Sequence, residues 1–313
     1  HYLSPWSMLV FAVVHVAIGG VIGYGFRESR ALVEPPLPVA FADLCPSVVA
    51  TQCRTEPLSW EALKLASFFL SLALGTAALV TSVYTLGPEL AVHRREAGTG
   101  TYTSAYALGK MITDVPFIFG GALLFGAVYV PLLAPDGDFM RHYAIFVGVE
   151  ACCYGLGYVL STLLPWDSSH VIGVVLVYCF SILSGLQPKL RVVNEQFVAP
   201  LRAVWASSFP RYAVEATVIT ETEVYRNDAR SVFREPVARF LAEYGWLADN
   251  YAFDLGMMAV IAVVLRAVAI ALLWWRHTPS SSASSWPSAA AVARLGAARW
   301  RGTRPQPPTQ CDA

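Results

Sequence analysis

Apolar residues in this chain come in long blocks, and polar stretches separate them. Six blocks approach or exceed the roughly 20 residues that a helix needs to cross a hydrocarbon core. They span residues 5–26, 62–86, 105–133, 139–164, 169–186 and 251–275. The third begins amphipathic and becomes purely apolar after Pro116. The fourth follows a short turn at Pro135-Asp136-Gly137-Asp138, and the fifth begins just past Pro165-Trp166-Asp167. The sixth closes on Trp274-Trp275 and Arg276, an aromatic and basic ending suited to a membrane–water interface. The pattern predicts an all-α polytopic membrane protein with six transmembrane helices and a large extracytoplasmic loop between helices 5 and 6. Residues 1–277 then form one transmembrane domain that contains the loop 187–250. The Ser/Ala/Pro-rich stretch 278–313 is predicted to be a disordered basic tail, within which 288–301 could form a short amphipathic surface helix.

Composition agrees. Of 313 residues, 56% are hydrophobic and only 14% charged, well below the roughly 25% that a water-facing surface carries. Net charge is zero, so nothing points to a nucleic-acid partner. Basic residues in short loops set orientation. Arg94, Arg95, Lys110, Arg276, Arg294, Arg299, Arg301 and Arg304 share one side, against Arg27, Arg30, Arg54 and Arg141 on the other. This places the tail in the cytoplasm and the loop 187–250 outside. Cys45 and Cys53 share one polar loop and can form a disulfide if that loop is extracytoplasmic, whereas Cys152, Cys153 and Cys179 read as small core residues. The chain opens at His1 without a signal-cleavage pattern and is expected to be a piece of a longer product.

A nucleotide site needs a glycine-rich loop whose amides cradle phosphates and a lysine that reaches them. No such run occurs. Leu183-Ser184-Gly185-Leu186-Gln187 looks like an LSGGQ signature, but it ends an apolar span and no phosphate loop accompanies it. No HExxH, GxSxG or paired-carboxylate site is present, and His1, His15, His93, His142, His170 and His277 are scattered. An integral-membrane lipid-modifying enzyme, or a fragment that transports nothing, is therefore only the alternative reading. No catalytic site and no metal or cofactor is expected in this chain.

Two ordered motifs carry more. Between the second and third spans stand Arg95-Glu96, a glycine, Tyr102, Ser104-Ala105-Tyr106, Lys110, Asp114 and Pro116. This run resembles the RE…G…Y…SAY…K…D…P motif of G-family ABC transporters, the white/pleiotropic-drug-resistance group. In the 187–250 loop, Gln187-Pro188-Lys189 and Ser208-Phe209-Pro210-Arg211-Tyr212-Ala213-Val214-Glu215-Ala216 resemble a run of its plant and protist half-transporters with long amino-terminal regions. The resemblance implies the membrane half of an exporter, with ATP and Mg bound by a separate nucleotide-binding domain. It also implies pairing with a second half-transporter, as a homo- or heterodimer. The substrate, a lipid, sterol or other hydrophobic compound, would then cross between helices 2 and 5 of both halves. Arg94, Arg95, Glu96 and Tyr102 would be the segment that couples to the ATPase domain.

The same resemblance suggests a cavity lined by Phe69, Leu72 and Thr76 from the second span and by Tyr178, Ser181, Ile182 and Leu186 from the fifth. The family's leucine-pair seal is reduced here to Leu186. Ala77 and Ala78 occupy the region where members often carry a phenylalanine, so a flat aromatic clamp does not carry over. From spacing alone, Lys110 and Asp114 stand four apart and are expected to pair on one helix face. Glu150 and Arg266 fall at bilayer depth, where a charge must face protein or water, and are expected to pair with each other or face the cavity. Glu215 and Asp254 are expected to be solvated.

Overall fold

The computed structural model describes residues 5–27, 59–87, 89–90, 102–227 and 234–277. Cys45, Cys53, Arg94, Arg95, Glu96 and the tail 278–313 lie outside these. Contacts divide the chain at Trp274, and of the second unit only the last turn of the final helix is described. The described residues form ten helices: α1 (Pro5–Gly25), α2 (Ser59–Leu86), α3 (Thr103–Leu133), α4 (Phe139–Leu163), α5 (Trp166–Ile182), α6 (Leu190–Gln196), α7 (Ala199–Ala206), α8 (Phe209–Asn227), α9 (Arg234–Tyr244) and α10 (Tyr251–His277).

Five of these, α1, α2, α3, α4 and α10, are long and apolar enough to cross a membrane. The fifth predicted span is shorter than expected. Its apolar helical part covers Ser168–Ile182, because the chain turns at Gly185, whose φ of +83° suits a residue without a Cβ.

Helix α2 is the centre of the bundle and packs on α1, α3, α4, α5 and α8. Leu70, Leu74, Ala78, Leu79 and Val83 bury its faces in the main core with Phe125, Tyr129, Phe146 and Tyr154. Small residues allow close approach, which is what drives helix association where lipid is as apolar as leucine. On α1, Gly19 and Gly23 are four apart and meet α3; a Cβ there would lie 2.8 Å from the Phe125 carbonyl and 2.9 Å from Leu132 Cβ. Helix α10 lies on α4, with Met258 against Gly148, Leu265 against Gly155, and the Cys152 thiol donating to the Met258 carbonyl at 3.1 Å.

The region 187–250 is four helices rather than an extended loop. Helix α8 packs back onto α2 and α4. Tyr212, Ala213 and Ala216 enter the main core, while Val214 and Val218 enter a second one with Leu190, Val237, Phe240, Leu241, Tyr244 and Trp246. A helix so rich in threonine can be buried because its hydroxyls bond back to its own carbonyls. Thr217 donates to Ala213 at 2.7 Å and Thr220 to Ala216 at 2.8 Å.

This packing corrects two expectations. Glu215 and Asp254 are not solvated: they are 1% and 0% exposed. Glu215 Oε1 accepts from the Leu247 N–H and the Asn250 amide, each at 3.3 Å. Cys179 is not a core residue either. It faces outward from α5, while Cys152 and Cys153 are buried as expected.

Nor do Glu150 and Arg266 pair. His15 Nε2 stands 3.0 Å from Glu150 Oε1, with both side chains fully buried. The two reach each other through a notch in α3, because a Cβ on Gly121 would lie 2.7 Å from Glu150 Oε1 and 2.9 Å from His15 Nε2. His15 Nδ1 is 2.8 Å from the Phe11 carbonyl, which can only accept, so Nδ1 carries a proton. One further proton then sits between Nε2 and Oε1, and the pair is neutral overall whichever atom holds it. Arg266 instead donates to the carbonyls of Ala151 at 2.9 Å and Ala262 at 3.0 Å.

Two outcomes follow from this packing. His15→Leu leaves Glu150 without its partner and should cost about 3 kcal/mol or more. The double variant His15→Leu/Glu150→Gln should recover part of that loss, read by thermal unfolding in detergent; a double variant no more stable than His15→Leu would show that an unpartnered Glu150 carboxyl is not what the single variant suffers from. Burial raises the Glu215 carboxyl above its ordinary 4.5, against the Leu247 N–H, the Asn250 amide and Arg211, which lower it. The folded chain thus holds this proton more tightly than the unfolded one. The contribution is fully present below pH 4.5 and is lost as pH rises through the raised folded value. Wild type should therefore lose stability relative to Glu215→Gln as pH is raised from 4.5, and parallel pH profiles would refute this.

Candidate functional site: a cavity between α2, α5 and α9

The first turns of α2, the end of α5 with the turn after it, and the last residue of α9 come together. Between them is a cavity of about 390 Å³. Helix α2 contributes Lys64, Leu65, Phe68 and Phe69; the end of α5 and the turn after it contribute Ile182, Ser184, Leu186 and Gln187; α9 contributes Tyr244. The Phe68 and Phe69 rings meet edge to face at 5.4 Å. Lys64 is 3% exposed, and its ammonium donates to the Tyr244 hydroxyl and lies 4.3 Å from the centre of that ring and 5.6 Å from that of Phe240. Tyr244 in turn stacks on Trp246 at 4.9 Å. On the same tyrosine ring sits a second ammonium, Lys189 at 4.9 Å, which also pairs with Glu243.

The structure divides the residues expected to line one cavity. Phe69, Ile182 and Leu186 do come together here. Thr76 lines a different cavity of about 430 Å³ between α1, α2 and α3, beside Trp6, Phe11, Val80 and Phe117. Leu72 packs against the main core. Tyr178 is half exposed on the outer face of α5. Ser181 is fully buried and donates to the Val177 carbonyl of its own helix at 2.9 Å, so it faces no cavity.

Lys110 and Asp114 share a helix face but take different partners, because each has a better one on another segment. Lys110 pairs with Glu89 at 2.5 Å, and Tyr106 also donates to Glu89, at 3.4 Å. Asp114, 2% exposed, accepts from Tyr158 of α4. The Arg266 guanidinium lies 6.0 Å from the Tyr158 ring, so Asp114, Tyr158 and Arg266 link α3, α4 and α10. Glu89 ties the end of α2 to the first two turns of α3, which brings together both ends of the segment holding Arg94, Arg95 and Glu96. Tyr102, at the start of α3, is largely exposed.

Sequence reasoning missed Lys64, Tyr244 and His15. A lysine three residues into an apolar span was a signal, since a charge there must face protein or water. The tyrosine 180 positions later gave none.

The chain matches the ABC-2 type transporter family over residues 11–278. It is also similar to the ABC-type transporter claG of Penicillium crustosum, with 28% identity over 184 residues. That stretch is 57% of this chain and 25% of the relative, so the chain spans only about a quarter of the relative's length. With the match covering the helices from α1 to α10, this chain belongs to the ABC-2 type transporter family, as a multi-pass integral membrane domain.

Proposed function

We propose that the chain is the permease half of an ATP-driven exporter of the G family that moves a lipid, sterol or other hydrophobic compound. The observation that carries this is the cavity lined by α2 and the end of α5, beside an α5 whose Val171, Val175 and Tyr178 are half or more exposed. A second half-transporter, set two-fold against this surface, closes a pathway that one copy leaves open. Helix α5 acts as the remaining span, which makes six, and α6 to α9 lie on the outer side.

ATP and Mg bind to a nucleotide-binding domain beyond this sequence. Arg94, Arg95, Glu96 and Tyr102 meet that domain, and the Glu89–Lys110 pair ties the end of α2 to α3, so that the two helices move together.

The test uses the full-length parent protein in proteoliposomes, following ATP-dependent movement of a fluorescent lipid. Wild type should transport. Glu96→Ala should fall to the rate seen without ATP while still inserting and folding. If ATP drives no movement in wild type, and no ATPase partner co-purifies, the exporter reading fails. If Glu96→Ala transports at the wild-type rate, the coupling assignment fails alone.

A further inference from the structure

We propose that Glu215 of α8 and Asp254 of α10 form a proton-binding site, in which Asp254 keeps one proton at neutral pH and so holds α8 against the start of α10. The site goes beyond the exporter reading and does not depend on it.

Both carboxyl side chains are buried, and neither Asp254 oxygen has a hydrogen-bond partner among the described residues. A buried carboxylate without a donor is so costly that the group takes up a proton instead. The two carboxyls are also unequal. Glu215 Oε1 accepts from the Leu247 N–H and the Asn250 amide, each at 3.3 Å, so Glu215 is the one equipped to carry charge. Finally, the charges close. Arg211 lies four residues before Glu215 on α8 and is near enough to act on both carboxyls. Arginine is always charged, so Arg211, an ionised Glu215 and a protonated Asp254 sum to zero. A second ionised carboxyl would leave one negative charge uncompensated.

Charged groups on the packed elements face other partners. Farther along α8, Glu221 meets His142 of α4, Glu223 pairs with Arg141 of α4, and Arg226 pairs with Asp249. Glu150 of α4 meets His15, Lys64 of α2 meets the Tyr244 hydroxyl, and Glu243 of α9 pairs with Lys189. The Tyr212 hydroxyl, beside the two carboxyls, donates to the Ala206 carbonyl at 2.9 Å. An Asp254 kept ionised by the start of α10 would have its oxygens on the N–H groups of that first turn, and among the described residues none donates to them. A divalent ion in place of the proton would need more anionic ligands. Among the described residues no group of three His, Cys, Asp or Glu is placed to hold one.

Loss of the proton would put two like charges in one buried place. Their repulsion falls on the contacts that join α8 to α10, which are the Glu215 bonds to Leu247 and Asn250 and the Tyr212–Phe253 ring contact at 6.4 Å. Asn250 also accepts the Asp254 N–H at 2.8 Å, so the same strain reaches the first turn of α10.

The experiment follows the full-length parent in nanodiscs, with isotope-labelled aspartate carboxyls, by infrared spectroscopy from acid to alkaline pH. At neutral pH wild type should show the carbonyl band of a protonated aspartate that Asp254→Asn lacks, and this band should vanish as pH rises. Glu215→Gln should lose the band about one pH unit lower or more, because a negative neighbour helps to hold the proton. Hydrogen exchange across residues 247–254 should match between wild type and Asp254→Asn at neutral pH. In alkaline solution wild type should exchange about tenfold faster, the counterpart of one pH unit of coupling. Identical neutral spectra for wild type and Asp254→Asn overturn the proposal. So does a Glu215→Gln band that titrates where the wild-type band does, a comparison that still decides the matter if Asp254→Asn does not fold. Equal exchange in alkaline solution overturns the hold on α10.

Discussion

Hydrocarbon offers no hydrogen-bond partners, so a hydroxyl, imidazole or carboxyl carried into this bundle is costly unless it finds a partner within it. Most hydroxyls meet the demand locally. Ser67, Thr76, Thr81, Ser161 and Ser181 each donate to the carbonyl four residues back, which needs no other helix. Ionisable groups cannot do this, and they dictate which helices must touch. His15 and Glu150 join α1 to α4 through the missing side chain of Gly121, and Asp114 and Tyr158 join α3 to α4. Helix α4, the most buried of the long helices, therefore collects the charges of its neighbours.

The same constraint decides what stays outside. Helices α1 and α10 bury only 22% and 17% of their most apolar stretches, and α5 presents a row of valines. In water such faces would be a liability. In a bilayer they cost nothing against lipid, so their exposure alone does not say whether lipid or protein covers them. Chemistry discriminates better than area. In the α2–α5–α9 cavity the Lys64 ammonium is held by the Tyr244 hydroxyl and ring, an arrangement that distinguishes it from a lipid-facing surface.

The long helices were legible because 20 or so apolar residues in a row have few other fates. The fold of 187–250 was not. Helix α8 carries Glu215, Thr217, Thr220, Glu221 and Thr222, and by composition it belongs at a surface. It is buried because the hydroxyls bond within the helix and Glu221 meets His142 Nε2 at 2.8 Å, a contact set by residues almost eighty positions away. The charge partners failed for a similar reason. Spacing offered Lys110–Asp114, and depth offered Glu150–Arg266, but neither rule sees a notch such as Gly121 or a clamp such as Glu89. Of the residues expected to line one cavity, Phe69, Ile182 and Leu186 come together because they belong to one helix pair, while Ser181 is turned inward on α5.

Helix α2 gives these pieces a common mechanical frame. Lys64 stands near one end of it and the Glu89 clamp just past the other, with about 33 Å of helix between Lys64 and Leu86 at the ordinary rise. Between those ends α2 is gripped on several sides by α1, α3, α4, α5 and α8, so it moves as a rod or not at all. Its neighbour α5 is gripped less. One face of it is exposed, and at its end the chain turns at Gly185 toward the cavity wall. On the exporter reading, a push delivered at the Glu89 end tilts α2 as a body. The separation that changes most is then the gap between the Lys64 end of α2 and the end of α5, which is where the cavity lies.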